Sequence, residues 1–319
     1  MTESILLVAG GLVLLALGGE LLVRGAVGMA ARLGISPLLA GLTIVGFGTS
    51  TPELATSVQA ALAGSPGIAI GNVVGSNIAN ILFILGLSAV ILPLSVNPAS
   101  FARDSIALGG SALLCTGAVL IGVLGPLIGI ALLAGLAGYV WWAYTSESAA
   151  HDAEALRHEH EAEDRPVPPG TGPVVLGGMI LAGLAAAIFG AGWLVDGAKV
   201  IASAAGVSES VIGLTVVAVG TSLPELIACI VAVLRKHEDV ALGNIVGSNI
   251  YNILGILGLT SIISPIAVPA EIAGFDIWVM LGVTLLLIVQ LRSGWRLSRP
   301  EGALLVALYA GYTVLLATR

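Results

Sequence analysis

The chain has 319 residues, of which 57% are hydrophobic and only 10% charged, and its mean hydropathy is +1.05. A soluble domain of that length carries about a quarter charged residues, so a soluble fold is excluded and an all-α integral membrane protein is expected. The formal charge of −7 does not describe the membrane part, because seven of the nineteen acidic residues crowd into residues 145–172. No nucleic-acid partner is expected, and the bilayer is the expected surrounding.

Apolar stretches long enough to cross a bilayer, about 20 residues each, fall at 3–23, 35–63, 67–91, 104–124, 127–144, 173–195, 206–234, 240–263, 276–291 and 302–317. No Lys or Arg precedes the first, and no A-x-A site follows a short apolar core, so it is expected to stay in the mature protein. The 43 glycines suit lipid-embedded helices, which pack by close backbone approach. Cys115 and Cys229 lie in apolar stretches at no metal-binding or disulfide spacing.

Residues 41–93 recur without a gap 172 residues later, with 29 identities in 53 columns. The identities concentrate on Gly, Pro, Ser, Thr, Asn and Glu, so shared hydrophobicity does not explain them and the chain is a fused duplication. Its parts are read as a first five-helix repeat (1–144), a hydrophilic linker (145–172) and a second five-helix repeat (173–319). Five spans separate the copies, and five is odd, so the second copy enters the membrane from the opposite side. The basic residues agree. Ten of twelve (Arg24, Arg32, Arg103, Arg157, Arg165, Arg235, Lys236, Arg292, Arg296 and Arg299) fall in loops after odd-numbered spans, leaving Lys199 and Arg319 on the other side. The positive-inside rule makes the first side cytoplasmic, with both termini outside.

Spans 2 and 7 carry the chemistry. Thr49, Ser50 and Glu53 stand at i, i+1 and i+4, a spacing that puts hydroxyl and carboxylate on one helix face, and Thr221, Ser222 and Glu225 repeat it. Pro52 and Pro224 precede the glutamates; each lacks an amide hydrogen, so a break is expected where the Gly48 and Gly220 carbonyls lose their partners. Spans 3 and 8 supply a facing stripe, Asn72, Ser76 and Asn80, with Asn244, Ser248 and Asn252 as its copy. These are hard oxygen donors, suited to Ca²⁺ or Na⁺. The stripe is equally read as polar glue between helices. The glutamates are harder to dismiss, because a carboxylate in mid-membrane is functional by default and no basic residue stands in spans 2, 3, 7 or 8; the alternative is that both carry protons. Two carboxylates balance one divalent cation or two monovalent ones, which is the physical basis of exchange.

The linker, TSESAAHDAEALRHEHEAEDRPVPPGTG, holds His151, His158 and His160 among its acids. A regulatory metal site of His158, His160 and the neighbouring carboxylates is one reading, and a solvated polyampholyte linker the commoner one.

GTSTPE (48–53), GTSLPE (220–225), GNVVGSNIAN (71–80) and GNIVGSNIYN (243–252) resemble the repeat signatures of the sodium/calcium exchangers in the cation/Ca²⁺ antiporter superfamily. The resemblance covers nearly the whole chain. It implies a Ca²⁺ site centred on Glu53 and Glu225 with Thr49 and Thr221, and Na⁺ sites using Ser50, Ser222, Ser76, Ser248, Asn80 and Asn252. It also implies that spans 1 and 6 slide across the bundle to alternate access. Cation/proton exchangers of the superfamily typically carry an acid where this chain has Gly75 and Gly247; potassium-dependent relatives tend to carry Asp in place of Asn252, as some prokaryotic sodium/calcium exchangers also carry an acid there, so Na⁺ coupling is expected ahead of H⁺ or K⁺.

The expected activity is therefore Na⁺/Ca²⁺ antiport by a monomer, with no cofactor beyond the transported ions. A Ca²⁺/H⁺ antiporter of the same fold, a K⁺-dependent exchanger and a cation channel are the alternatives. An intramembrane hydrolase lacks its machinery, since the sequence has no HExxH, no GxSxG and no His or Lys in the core spans.

Overall fold

In lipid every backbone N–H and C=O must be bonded within the protein, which favours helices for long apolar stretches. The computed structural model is mostly helical and describes residues 2–154, 171–205 and 218–318. In chain order its helices are α1 (Thr2–Leu33), α2 (Pro37–Thr49), α3 (Thr51–Leu62), α4 (Pro66–Ile91), α5 (Pro98–Ile121), α6 (Pro126–Glu154), α7 (Pro173–Ala204), α8 (Ala218–Thr221), α9 (Leu223–Leu234), α10 (Glu238–Ile263), α11 (Ile272–Gly294) and α12 (Arg299–Thr318). Four two-residue strands join them: β1 (Leu94–Ser95), β2 (Val123–Leu124), β3 (Ile266–Ala267) and β4 (Arg296–Leu297). Among the described residues, α1, α4, α5, α6, α7, α10 and α11 are long and apolar enough to cross a membrane. The second expected span is divided at Ser50 into α2 and α3, and residues 206–217 of the seventh lie outside the described residues.

Equivalent residues of the two halves meet across the molecule. Helices α1 and α7 run antiparallel with their backbones in contact: a Cβ built on Gly11 would lie 2.7 Å from the Gly190 carbonyl, and one on Gly18 would lie 2.8 Å from that of Gly183. Gly183 and Gly190 stand 172 positions after Gly11 and Gly18, so each glycine faces the copy of the other. A similar exchange recurs where α4 crosses α12 at Gly86 and Gly302, and where α10 crosses α6 at Gly258 and Gly129, with Gly258 standing 172 positions after Gly86 and Gly302 standing 173 after Gly129. At the ends of the helices β1 pairs with β4 and β2 with β3, both antiparallel, so each strand pair joins the first half to the second.

The basic loops gather at one end. Glu20 holds both Arg24 and Arg235, Arg32 donates to the Thr171 carbonyl at 3.0 Å, and Glu238 accepts from the Ser95 amide at 2.8 Å. One expectation is corrected here. Arg103, read as a loop charge, lies inside α5 and is 6% exposed; its guanidinium grips Asp104 through two hydrogen bonds (2.7 and 3.1 Å) and donates to the Ala143 carbonyl, while the Tyr139 hydroxyl donates to the same carboxylate at 3.2 Å. A charge that deep is held by a partner rather than by water. Helix α6, in turn, runs on to Glu154, so the first part of the segment read as linker is helical. His158 and His160, on which a regulatory metal site depends, lie outside the described residues.

Candidate functional site

The site is built at two chain breaks. Helix α2 ends at Thr49, Ser50 turns the chain (φ −80°, ψ 9°), and α3 begins at Thr51; Ser222, between α8 and α9, takes nearly the same conformation (φ −91°, ψ 9°). Pro52 and Pro224 thus occupy the second position of a new helix, where the amide they lack has no partner to lose. Thr49 and Glu53 consequently belong to two helices that meet at Ser50 rather than to one uninterrupted helix. Each glutamate lies in the first turn of its helix and is 1% exposed.

The two breaks are stitched to each other. The Ser50 hydroxyl donates to Glu225 Oε1 at 3.0 Å and the Ser222 hydroxyl to Glu53 Oε1 at 3.3 Å, so each half's serine holds the other half's carboxylate. Behind them, Asn72 Nδ2 donates to the Glu53 carbonyl (3.0 Å) and to Ser57 Oγ (2.9 Å), and Asn244 Nδ2 to the Glu225 carbonyl (3.2 Å) and to Cys229 Sγ (3.2 Å). These asparagines brace the broken helices through their amide nitrogens. Thr49 spans the halves as well, donating to Asn244 Oδ1 at 3.2 Å. Thr221 is half-buried beside Gly220 and Pro52 on the wall of a second cavity.

Several buried polar atoms lack any hydrogen bond among the described residues. They include Glu53 Oε2, Glu225 Oε2, Asn80 Oδ1 and both polar atoms of the Asn252 amide. An orphaned buried acceptor costs about 1–3 kcal/mol, and unpaired carboxylate and amide oxygens are donors of the kind a hard cation takes. Asn80 and Asn252 each open a π-helical segment, Asn80–Leu85 in α4 and Asn252–Leu257 in α10. Such one-turn widenings re-aim side chains and frequently mark functional sites. No pattern in the sequence foretold them. The sequence reading also passed over Asn77 and Asn249, an equivalent buried pair whose Oδ1 atoms are orphaned while their Nδ2 atoms bond one turn back, to Val73 and Ile245.

The halves are not in the same condition. Ser248 is fully buried and donates to the Gly46 carbonyl at 3.2 Å; Asn244 and Gly247 beside it are buried, and Gly247 lies so close to Leu42 that an added Cβ would stand 2.2 Å from its carbonyl oxygen. Tyr251 stacks on Phe47 at 4.5 Å between ring centres on that same face. The equivalents Asn72, Gly75 and Ser76 instead line a cavity of about 370 Å³ whose wall also includes Ser222, Asp276 and Tyr312. Ala79 takes the place of Tyr251 there, leaving the space unfilled. The polar stripe of the second half is thus packed against α2, while its copy in the first half borders a cavity that reaches Ser222.

A sodium/calcium exchanger protein family model matches residues 3–145 and 175–318. A putative antiporter CaxA of Alkalimonas amylolytica is 39% identical over 99% of both chains, and the sodium/calcium exchanger MaX1 of Methanosarcina acetivorans is 33% identical over 99% of both. A solved structure of the sodium-calcium exchanger NCX_Mj soaked with 100 mM Na⁺ and 10 mM Sr²⁺ superposes with a TM-score of 0.83 at 32% identity, covering 100% of this chain and 99% of the other.

Proposed function

Because the chain belongs to the sodium/calcium exchanger family, we propose that it moves Ca²⁺ against Na⁺ through one site shared by its two halves. Glu53 and Glu225 carry the countercharge and bind Ca²⁺ with Thr49 and Thr221. Ser50, Ser222, Ser76, Ser248, Asn80 and Asn252 complete the oxygen shell and take the Na⁺ ions that replace it. The observation that carries this reading is the pair of buried glutamates, one from each half, each held by the other half's serine and each left with one oxygen unpaired.

The ions supply only charge; the chain supplies position. Two carboxylates neutralise one Ca²⁺, so two Na⁺ restore the same balance, and each further Na⁺ makes the cycle electrogenic, worth about 2.3 kcal/mol per charge per 100 mV. Access alternates. The reading takes the chain as ten spans in two inverted repeats, a symmetry under which the packed and the cavity-bordering stripes trade places; the antiparallel glycine contact of α1 with α7 supports a pair of helices that slides as a unit. The gathering of basic loops at one end supports a cell-membrane protein with that end and residues 145–172 cytoplasmic, both termini outside, and the open cavity facing out. The monomer suffices, because both halves of the site lie in one chain.

Purified protein in vesicles loaded with Na⁺, with K⁺ or with a proton gradient tests the proposal. Only the Na⁺-loaded vesicles are expected to take up Ca²⁺. Uptake driven by the proton gradient alone contradicts it.

A further inference from the structure

We infer that Asp276 is a cation-collecting residue on the outer approach to the site, an assignment that rests on the exchanger reading above. Asp104 and Asp276 are equivalent, 172 positions apart on α5 and α11, and each accepts a hydrogen bond from a tyrosine of its own half: Tyr139 to Asp104 at 3.2 Å, Tyr312 to Asp276 at 2.9 Å. Their charges are treated differently. Asp104 is 1% exposed and cancelled by Arg103, its neighbour in the chain. At the corresponding position before Asp276 the chain has Phe275, whose ring stacks on Tyr312, and among the described residues no Lys, Arg or His forms an ion pair with Asp276.

The uncancelled carboxylate stands on the wall of the open cavity, and that wall includes Asn72, Ser76 and Ser222 of the site itself. At about 370 Å³ the cavity has room for a cation with water around it, each water taking about 30 Å³. A fixed negative charge beside a narrow, low-dielectric passage raises the local concentration of cations, and raises it more for a divalent ion than for a monovalent one. Tyr312, on the same wall, holds the carboxylate by its hydrogen bond. The same place in the first half is neutral by virtue of Arg103, so the collecting charge belongs to one face of the membrane only.

The test is the external Ca²⁺ dependence of Na⁺-driven uptake for Asp276→Asn, measured at low and high ionic strength. The half-saturating external Ca²⁺ is expected to rise about three- to tenfold at low ionic strength, with the maximal rate retained. The difference is expected to collapse in about 0.5 M inert salt, where the screening length falls to a few ångströms. Asp276→Glu restores the affinity, and half-saturation from the cytoplasmic face does not move. Phe275→Arg, which supplies the neighbour that the first half has, is expected to reproduce the same salt-dependent loss and serves if Asp276→Asn does not accumulate. An unchanged affinity at low salt, a change that survives high salt, or a fall in maximal rate alone would overturn the assignment. Absence of Na⁺-driven Ca²⁺ uptake in the unsubstituted protein overturns the exchanger reading and this inference with it.

Discussion

Replacing Gly18 by Ala puts a methyl group between α1 and α7. The added Cβ would lie 2.7 Å from the Ala187 amide nitrogen and 2.8 Å from the Gly183 carbonyl oxygen, whereas ordinary contact begins near 3.4 Å. The helices must therefore separate by roughly 0.7 Å at that crossing, because backbone atoms on both sides have no rotamer to yield. Overpacking of this kind costs about 1–3 kcal/mol, more than the gain of up to about 1 kcal/mol that Gly→Ala brings to a helix interior. Gly178, on the same α7, has open space around it among the described residues, so Gly178→Ala isolates the helix-propensity gain. Thermal unfolding of the detergent-purified variants, followed by monodispersity on size exclusion, is expected to place Gly18→Ala several degrees below the unsubstituted protein and Gly178→Ala at or above it. Equal melting of the two variants would refute the close-approach account of the α1/α7 crossing.

Arg103→Met leaves the Asp104 carboxylate buried without its cation and is expected to cost about 3–5 kcal/mol; adding Asp104→Leu should recover most of that loss, since an apolar replacement of a whole buried pair is often neutral. A double variant as unstable as the single one in the same melting assay would show that the ion pair, rather than the lone charge, sets the stability. Lys236 holds a left-handed conformation (φ 60°) at the position where the first half has Gly64 (φ 72°). Lys236→Gly is accordingly expected to stabilise by about 1 kcal/mol, read as a raised melting temperature, and a lowered one would contradict the backbone assignment.

The candidate site was legible in the sequence because it was written twice. A lone Glu among apolar residues is ambiguous, but Glu53 and Glu225 recur with the same Thr, Ser and Pro, and the structure brings Ser50 to Glu225 and Ser222 to Glu53. The break was legible too, though displaced: proline cannot donate to the turn before it, yet it fits the second position of a helix, so the chain turns at the serine. The Arg103–Asp104 pair was not legible. Its burial depends on Tyr139 and on the Ala143 carbonyl, about three dozen residues away, and a charge beside an apolar stretch reads as a loop. The packing difference between the halves was hidden by the duplication itself, which draws the eye to the repeated polar residues and away from exchanges such as Tyr251 for Ala79 and Phe47 for Val219.

The central claim is that one pair of carboxylates, one from each half, carries the transported charge. Na⁺-driven Ca²⁺ uptake by Glu53→Gln and by Glu225→Gln, each purified, monodisperse and reconstituted at matched density, tests it most directly. Either substitution removes half of the countercharge while keeping the side chain's size, and both are expected to reduce Ca²⁺ uptake to the level of protein-free vesicles. Uptake at the unsubstituted rate by either variant would contradict the shared two-carboxylate site.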